Sequence, residues 1–180
     1  MRSDAAPPAE DRGIEGLDFE SLWKEWRPRA IAYCRAFPRL TAEDAQDLAS
    51  EALLKAWSAS ERYDPARPFA PWFLAILRRL ILDRLERERE SPVPAELIET
   101  RASRAQEAEE RILRESEAEF TRRFVEGLGD RDRELASLIY GQDLSVAEAA
   151  RLTGLPAGSV KWRLFEIRKA LRRAWEREYG

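Results

Sequence analysis

The stretch from Ser145 to Leu171, SVAEAARLTGLPAGSVKWRLFEIRKAL, constrains the fold more tightly than any other part of the chain. Ala150 is small enough to let one helix cross close to another. Gly154 supplies the positive φ that a short turn between two helices requires. Val160 returns an apolar side chain to the core from the second helix. Ser145, with Glu148 three residues on, forms a capping box that marks the start of the first helix. Pro156 and Ser159 suit the opening turn of the second, where Gly158 is tolerated. Lys161, Arg163, Arg168, Lys169, Arg172 and Arg173 follow. This spacing predicts a helix-turn-helix with a basic second helix, the geometry that lays a helix in the major groove of DNA. An ordinary helical hairpin with a solvated basic face meets the same pattern, so the rest of the chain has to decide.

A chain of 180 residues, 44% hydrophobic, holds one domain or two small ones. No apolar run approaches the roughly 20 residues of a membrane span. The opening MRSDAAPPAEDRG has no apolar stretch of the kind a signal peptide needs. The expectation is a cytoplasmic protein, not inserted in a membrane, with a disordered tail over residues 1–16. There is no histidine, which removes His-based triads, His-containing zinc sites and the commonest general base together. No other catalytic constellation takes their place, so the reading is of a protein that is not an enzyme, with no cofactor and no metal. Cys34, the single cysteine, lies in the apolar stretch AIAYCRAF and reads as a buried structural thiol.

The net charge of −3 first argues against a nucleic-acid binder, but its distribution does not. Residues 17–90 carry 13 basic and 13 acidic groups, residues 91–118 carry 4 and 7, and residues 119–180 carry 12 and 10. Within the last segment, residues 161–177 hold seven basic groups against two acidic. Binding to DNA follows the local face, yet so acidic a chain is expected to bind free DNA weakly and to need a partner.

Helical patterning begins near Leu17, with Pro28 expected to kink or split the first helix and Pro38 to end it. Thr41 and Asp44 open the next helix, whose inner stripe is Ala45, Leu48, Ala49, Ala52, Leu53, Ala56 and Trp57. Its opposite face reads as Asp44, Asp47, Ser50, Glu51 and the apolar Leu54, a pattern that suits a partner surface. Residues 58–70 are a loop by composition, and Pro71 stands at the first position of a long apolar helix that ends in alternating charges. Prolines 92 and 94 and weak periodicity make the region from Ser91 a linker. A charged helix leads out of it and stops at Gly127 and Gly129, and RDRELASLIYG forms another before the helix-turn-helix. The fold class is therefore all-α: two small helical domains, an N-terminal helical bundle over 17–90 and a C-terminal helix-turn-helix domain over 119–180, joined by a flexible acidic linker over 91–118.

In this order the parts resemble a two-domain, extracytoplasmic-function sigma factor of bacterial RNA polymerase. Asp47-Leu48-Ala49-Ser50-Glu51-Ala52-Leu53-Leu54-Lys55-Ala56-Trp57 is similar to that family's polymerase-binding helix. Tyr63-Asp64-Pro65-Ala66-Arg67-Pro68-Phe69, Pro71-Trp72-Phe73 and Arg78-Arg79-Leu80-Ile81-Leu82-Asp83 are similar to its loop and helix for the −10 promoter element. Gly154-Leu155-Pro156-Ala157-Gly158-Ser159-Val160-Lys161, with Arg163-Leu164 and Arg168-Lys169-Ala170-Leu171, is similar to its −35 reading helix. The resemblance implies core-polymerase contacts, to the clamp helices and flap, with Asp47, Ser50, Glu51 and Leu54 on the clamp-binding helix. It implies −10 DNA contacts through Arg62, Tyr63, Arg67, Arg78 and Arg79, and −35 contacts through Ser159, Lys161, Trp162, Arg163, Phe165, Glu166, Arg168 and Lys169. It also implies an anti-sigma partner.

Elementary energetics fit these roles. Taking a base out of the stack costs a few kcal/mol, which aromatic and cationic contacts offset at roughly 1–3 kcal/mol per base. Trp72 can be cast as such a platform, although a Trp at the start of an amphipathic helix suits the core better. Four departures from the family stand out. Ser50 replaces a usual glutamine, Glu86, Glu88 and Glu90 replace part of a basic tail, Trp162 replaces a small polar residue, and Glu166 replaces a basic one. A carboxylate at 166 cannot hold a phosphate but can accept from a cytosine amino group, so an unusual −35 sequence is expected. The alternative reading is an autonomous helix-turn-helix regulator, which would bind its operator without polymerase.

Overall fold

The computed structural model describes residues 18–90 and 117–180. The expected N-terminal tail and nearly all of the expected linker lie outside the described residues. Those described form seven α-helices and no strand, so the all-α expectation holds.

Helix α1 spans Phe19–Cys34 and starts on Asp18, whose carboxylate accepts from the Ser21 N–H at 2.9 Å. That bond and a second one from the Ser21 hydroxyl hold the Asp18 carboxyl below its ordinary pKa. Pro28 lies inside α1, and the helix is not split there. The carbonyl four residues earlier loses its N–H partner, but it belongs to Lys24, on the solvent side, where water can replace the bond. Leu22, Trp26, Ala30 and Tyr33 form the buried stripe.

Helix α2, Ala42–Ser58, opens with a reciprocal capping box: Asp44 N–H donates to Thr41 Oγ1 and Thr41 N–H donates to Asp44 Oδ2. The outward placement expected of Asp44 is not what the fold adopts. Asp44 is buried, and its Oδ1 accepts from Arg84 Nη2 at 2.6 Å. One carboxylate thus caps α2 and ties it to the next helix. The expected apolar stripe is buried except at Trp57, which meets Phe19 edge-on at 5.5 Å.

Helix α3, Phe69–Glu90, begins two residues earlier than expected, leaving Pro71 within the first turn, where a missing N–H goes unnoticed. Phe69 and Phe73 flank the fully buried Trp26 edge-on, at 4.8 and 5.4 Å, and the Arg29 guanidinium covers the same indole at 4.2 Å. Such aromatic pairs add about 0.5–1.5 kcal/mol each beyond burial. Together they set α3 across α1 and α2.

Helix α4, Glu117–Glu126, stops where Gly127 was expected to stop it, and its last carbonyls are capped by a side chain. Arg133 donates to the carbonyls of Val125, Glu126 and Leu128. Arg133 belongs to α5, Asp130–Ala136, which widens into a π-turn over Ser137–Gly141, closed by Gln142 N–H on Ser137 O at 3.0 Å. Helix α6, Val146–Thr153, carries the expected Ser145–Glu148 capping box. Gly154 turns the chain with φ of +72° into α7, Ala157–Tyr179. Val160, Leu164 and Ile167 bury the inner face of α7, and Phe120 of α4 packs edge-on against its Trp175 at 5.1 Å.

The helices of residues 18–90 and those of residues 117–180 share one continuous apolar interior that runs from Leu22 to Ile167. Two polar clusters stitch the junction. Arg29 Nη2 donates to Gln142 O at 3.3 Å while Gln142 Nε2 donates to Arg29 O at 3.2 Å. Glu134 Oε1 accepts from both Tyr33 Oη at 2.9 Å and Arg78 Nε at 2.6 Å.

Candidate nucleic-acid interface

Three exposed surfaces collect the residues singled out from the sequence. On α2, Asp47, Glu51 and Leu54 stand one turn apart on the outer face, with Leu54 54% exposed. Glu51 pairs with Lys55 at 2.9 Å, and Ser50 turns its hydroxyl back to Gln46 O at 2.8 Å. The surface is therefore apolar at Leu54 and acidic around it.

The second surface lies where the loop meets α3. Arg62 ends a 3₁₀ turn over Ser60–Arg62 and is exposed. Arg67 is exposed beside Asp64, at 3.2 Å. Asp64 also accepts from the Ala66 N–H at 3.0 Å, a turn that keeps the loop compact. Tyr63 does not stand out as a platform. It is buried against Phe69 and Trp72, and its hydroxyl donates to Arg67 O. Its work is to hold the loop in shape with Arg62 and Arg67 outward. Trp72 is half-buried, with one side on the core and the other lining a cleft of about 910 Å³. Arg67, Arg78 and Arg79 line the same cleft, and Arg151 of α6 lines it from the other side. Arg151 escaped the sequence reading, because nothing local marks a cation on the first helix of a helix-turn-helix as facing the earlier helices.

Arg78 is the least available of these cations. Its side chain is 21% exposed and committed to Glu134. Burial opposes its charge, but the hydrogen bond and attraction of Glu134 outweigh that, and its pKa lies above the ordinary guanidinium value.

The third surface is α7. Ser159, Lys161, Trp162, Phe165, Arg168 and Lys169 are exposed, and Glu166 is half-buried. Arg168 Nη1 donates to Tyr140 Oη at 3.1 Å. Arg163 instead points back to Asp132, Nη1 to Oδ1 at 2.7 Å, a tie from α7 to α5 that the sequence does not signal. Charge alternation around Asp132 is too common to have signalled it.

No helix among the described residues is long and apolar enough to cross a membrane. Residues 22–91 match the family described as Sigma-70 region 2. The chain is 30% identical over 175 residues to the ECF RNA polymerase sigma factor SigM of Mycobacterium tuberculosis, covering 96% of this chain and 84% of that one. It is 29% identical over 161 residues to the ECF RNA polymerase sigma factor ShbA of Streptomyces griseus, covering 83% and 84%. Among solved structures, the sigma factor RpoE co-crystallised with the anti-sigma factor NepR from Bartonella quintana has the same fold. The TM-score is 0.58 at 20% identity, over 86% of this chain and 92% of that one. With that degree of identity running through nearly its whole length, the chain belongs to the ECF family of RNA polymerase sigma factors.

Proposed function

We propose that the chain directs RNA polymerase to its promoters as a non-catalytic specificity subunit, working in the cytoplasm. Residues 17–90 form the unit that docks on the polymerase clamp through Asp47, Ser50, Glu51 and Leu54 and captures melted −10 bases with Arg62, Arg67 and Arg79, while Arg78, held by Glu134, borders the same cleft. In this role Tyr63 supports the loop instead of stacking on a base. Residues 91–118 are the acidic connection, and residues 119–180 contact the flap and place α7 in the major groove at the −35 element. Ser159, Lys161, Trp162, Phe165 and Glu166 face base edges, whereas Arg168 and Lys169 suit phosphates. An anti-sigma protein is the proposed repressor partner.

The observation that carries this reading is one chain holding a Sigma-70 region 2 match and, beyond it, a capped helix-turn-helix with a cationic, aromatic outer face. Internal engagement of Arg78 and Arg163 lowers the positive charge the free chain can offer. Weak binding to DNA without polymerase is the expected result. Gel-shift and run-off transcription with promoter DNA, with and without core polymerase, test it. A shift and a specific transcript only with core polymerase support the role. Tight binding by the isolated chain at physiological salt, unaffected by core polymerase, would mean an autonomous regulator.

A further inference from the structure

Over residues 159–169 the outermost stripe of α7 carries no arginine, and Arg172 and Arg173 follow on the same face about one turn further on. At about 100° per residue, Trp162, Phe165 and Lys169 lie opposite the buried Val160, Leu164 and Ile167. Trp162 is 61% exposed and Phe165 55%. Among the described residues, the Lys169 ammonium lies 5.9 Å from the centre of the Phe165 ring, and neither Phe165 nor Trp162 pairs with another ring. The nearby arginines are turned elsewhere, Arg163 onto Asp132 and Arg168 onto Tyr140. Glu166 lies beside this stripe, its Oε1 a loose 4.0 Å from Lys169 Nζ, and Lys161 flanks the other side.

Each base edge answers to a different chemistry. Guanine is most often read by the arginine fork on its O6 and N7 acceptors, and a carboxylate is repelled there. Cytosine offers an N4 amino donor that a carboxylate accepts. A thymine methyl gains from being covered by an apolar surface. Two exposed rings and a carboxylate, with no arginine in the same stretch of the stripe, select the second and third of these. We propose that α7 reads its −35 element through thymine methyl groups covered by Trp162 and Phe165 and a cytosine amino group bound by Glu166. This rests on the DNA-reading role proposed above for α7 and names the bases it reads. Trp162 and Glu166 are about 6 Å apart along the helix axis, or about two base steps at 3.4 Å each. The cytosine therefore falls within about two base pairs of the thymine under Trp162.

The test uses holoenzyme assembled from the full chain and core polymerase, with duplexes randomised across both promoter elements. The enriched −35 element is then remade with uracil in place of thymine, which removes only the methyl group. Wild-type holoenzyme is expected to lose about fourfold in affinity per critical methyl. Trp162→Ser and Phe165→Ser holoenzymes are each expected to become indifferent to one thymine-to-uracil exchange. Glu166→Arg is expected to exchange the preferred cytosine for guanine, moving that position by about 5- to 150-fold. All three side chains sit outside the buried stripe of α7, and matching thermal midpoints confirm that the variants fold. Equal binding of uracil and thymine duplexes by wild type, or an unchanged selected element with Glu166→Arg, overturns the assignment. If wild-type holoenzyme enriches no element at all, the promoter-reading role fails, and this inference with it.

Discussion

Glu134→Ala should loosen the packing of helices α1–α3 against α4–α7. Glu134 is only 8% exposed and a single oxygen, Oε1, receives both Tyr33 and Arg78. Its removal leaves the Arg78 charge at the junction without its partner. Losing one member of a buried ion pair costs about 3–5 kcal/mol. Arg78 keeps access to water over about a fifth of its side chain, which places the expectation near the lower figure, about 3 kcal/mol. At about 1.4 kcal/mol per factor of ten, the balance between packed and separated helical groups shifts by about 100-fold. A double-mutant cycle of Glu134→Ala and Arg78→Ala, read by denaturant unfolding, isolates the pair. A hydrogen bond to a charged group contributes about 1.5–3 kcal/mol, so the coupling should reach at least about 1.5 kcal/mol. Small-angle scattering of Glu134→Ala should show a larger radius of gyration. A coupling below about 0.5 kcal/mol together with unchanged scattering would refute the view that this cluster holds the junction.

Further outcomes follow from local chemistry. Burial pushes the Cys34 thiol up to about 12, from an ordinary 9.0, and burial beside Glu134 raises Tyr33 well above 10.0. The unfolded chain then releases protons that the folded chain keeps, so stability falls as pH rises past about 9 and again past about 10. Denaturation midpoints at increasing pH should show this decline flattened in Cys34→Ala and Tyr33→Phe, and parallel slopes would contradict it. The Cys34 thiol should also resist alkylation until the protein unfolds. Gly154→Ala places a Cβ in open space but at φ of +72°, so it should cost only the left-handed backbone penalty of about 1–2 kcal/mol, measured by urea unfolding. Leu54→Asp should leave thermal stability unchanged while weakening core-polymerase affinity about tenfold, since a Leu side chain buried at an interface contributes about 1.5–3 kcal/mol; competition binding reads the change.

What could be read from the sequence was what is decided over a few residues. The capping boxes at Thr41–Asp44 and Ser145–Glu148, the turn at Gly154 and the end of α4 at Gly127 all stand where the pattern put them. The α2 stripe was equally plain, because small apolar residues recur there every three or four positions. Long-range partners were not legible. Asp44 looked solvent-facing because Arg84 lies 40 residues away in the chain. Arg78 looked like a free cation because Glu134 is 56 residues distant. Tyr63 looked like an exposed aromatic in a polar loop, and only the packing of Phe69 and Trp72 around it shows otherwise. Of the candidate site, the outer faces of α2 and α7 were legible from helical phase alone, whereas the wall that Arg151 adds to the cleft required the fold.

The widened turn at Ser137–Gly141 has a consequence for the direction in which the chain's far end looks. A π-turn amounts to an α-helix with one surplus residue. Delete Ile139, and the ladder would close as ordinary α-helix, with everything downstream rotated by about 100° and drawn in by about 1.5 Å. Gln142 would leave the Arg29 carbonyl, and Leu144 would leave its place in the core. The stripe bearing Trp162 and Phe165 would then face a different quarter of space relative to α3. That one extra residue acts as a phase setting between two otherwise regular helical assemblies, much as a single tooth sets two meshed gears.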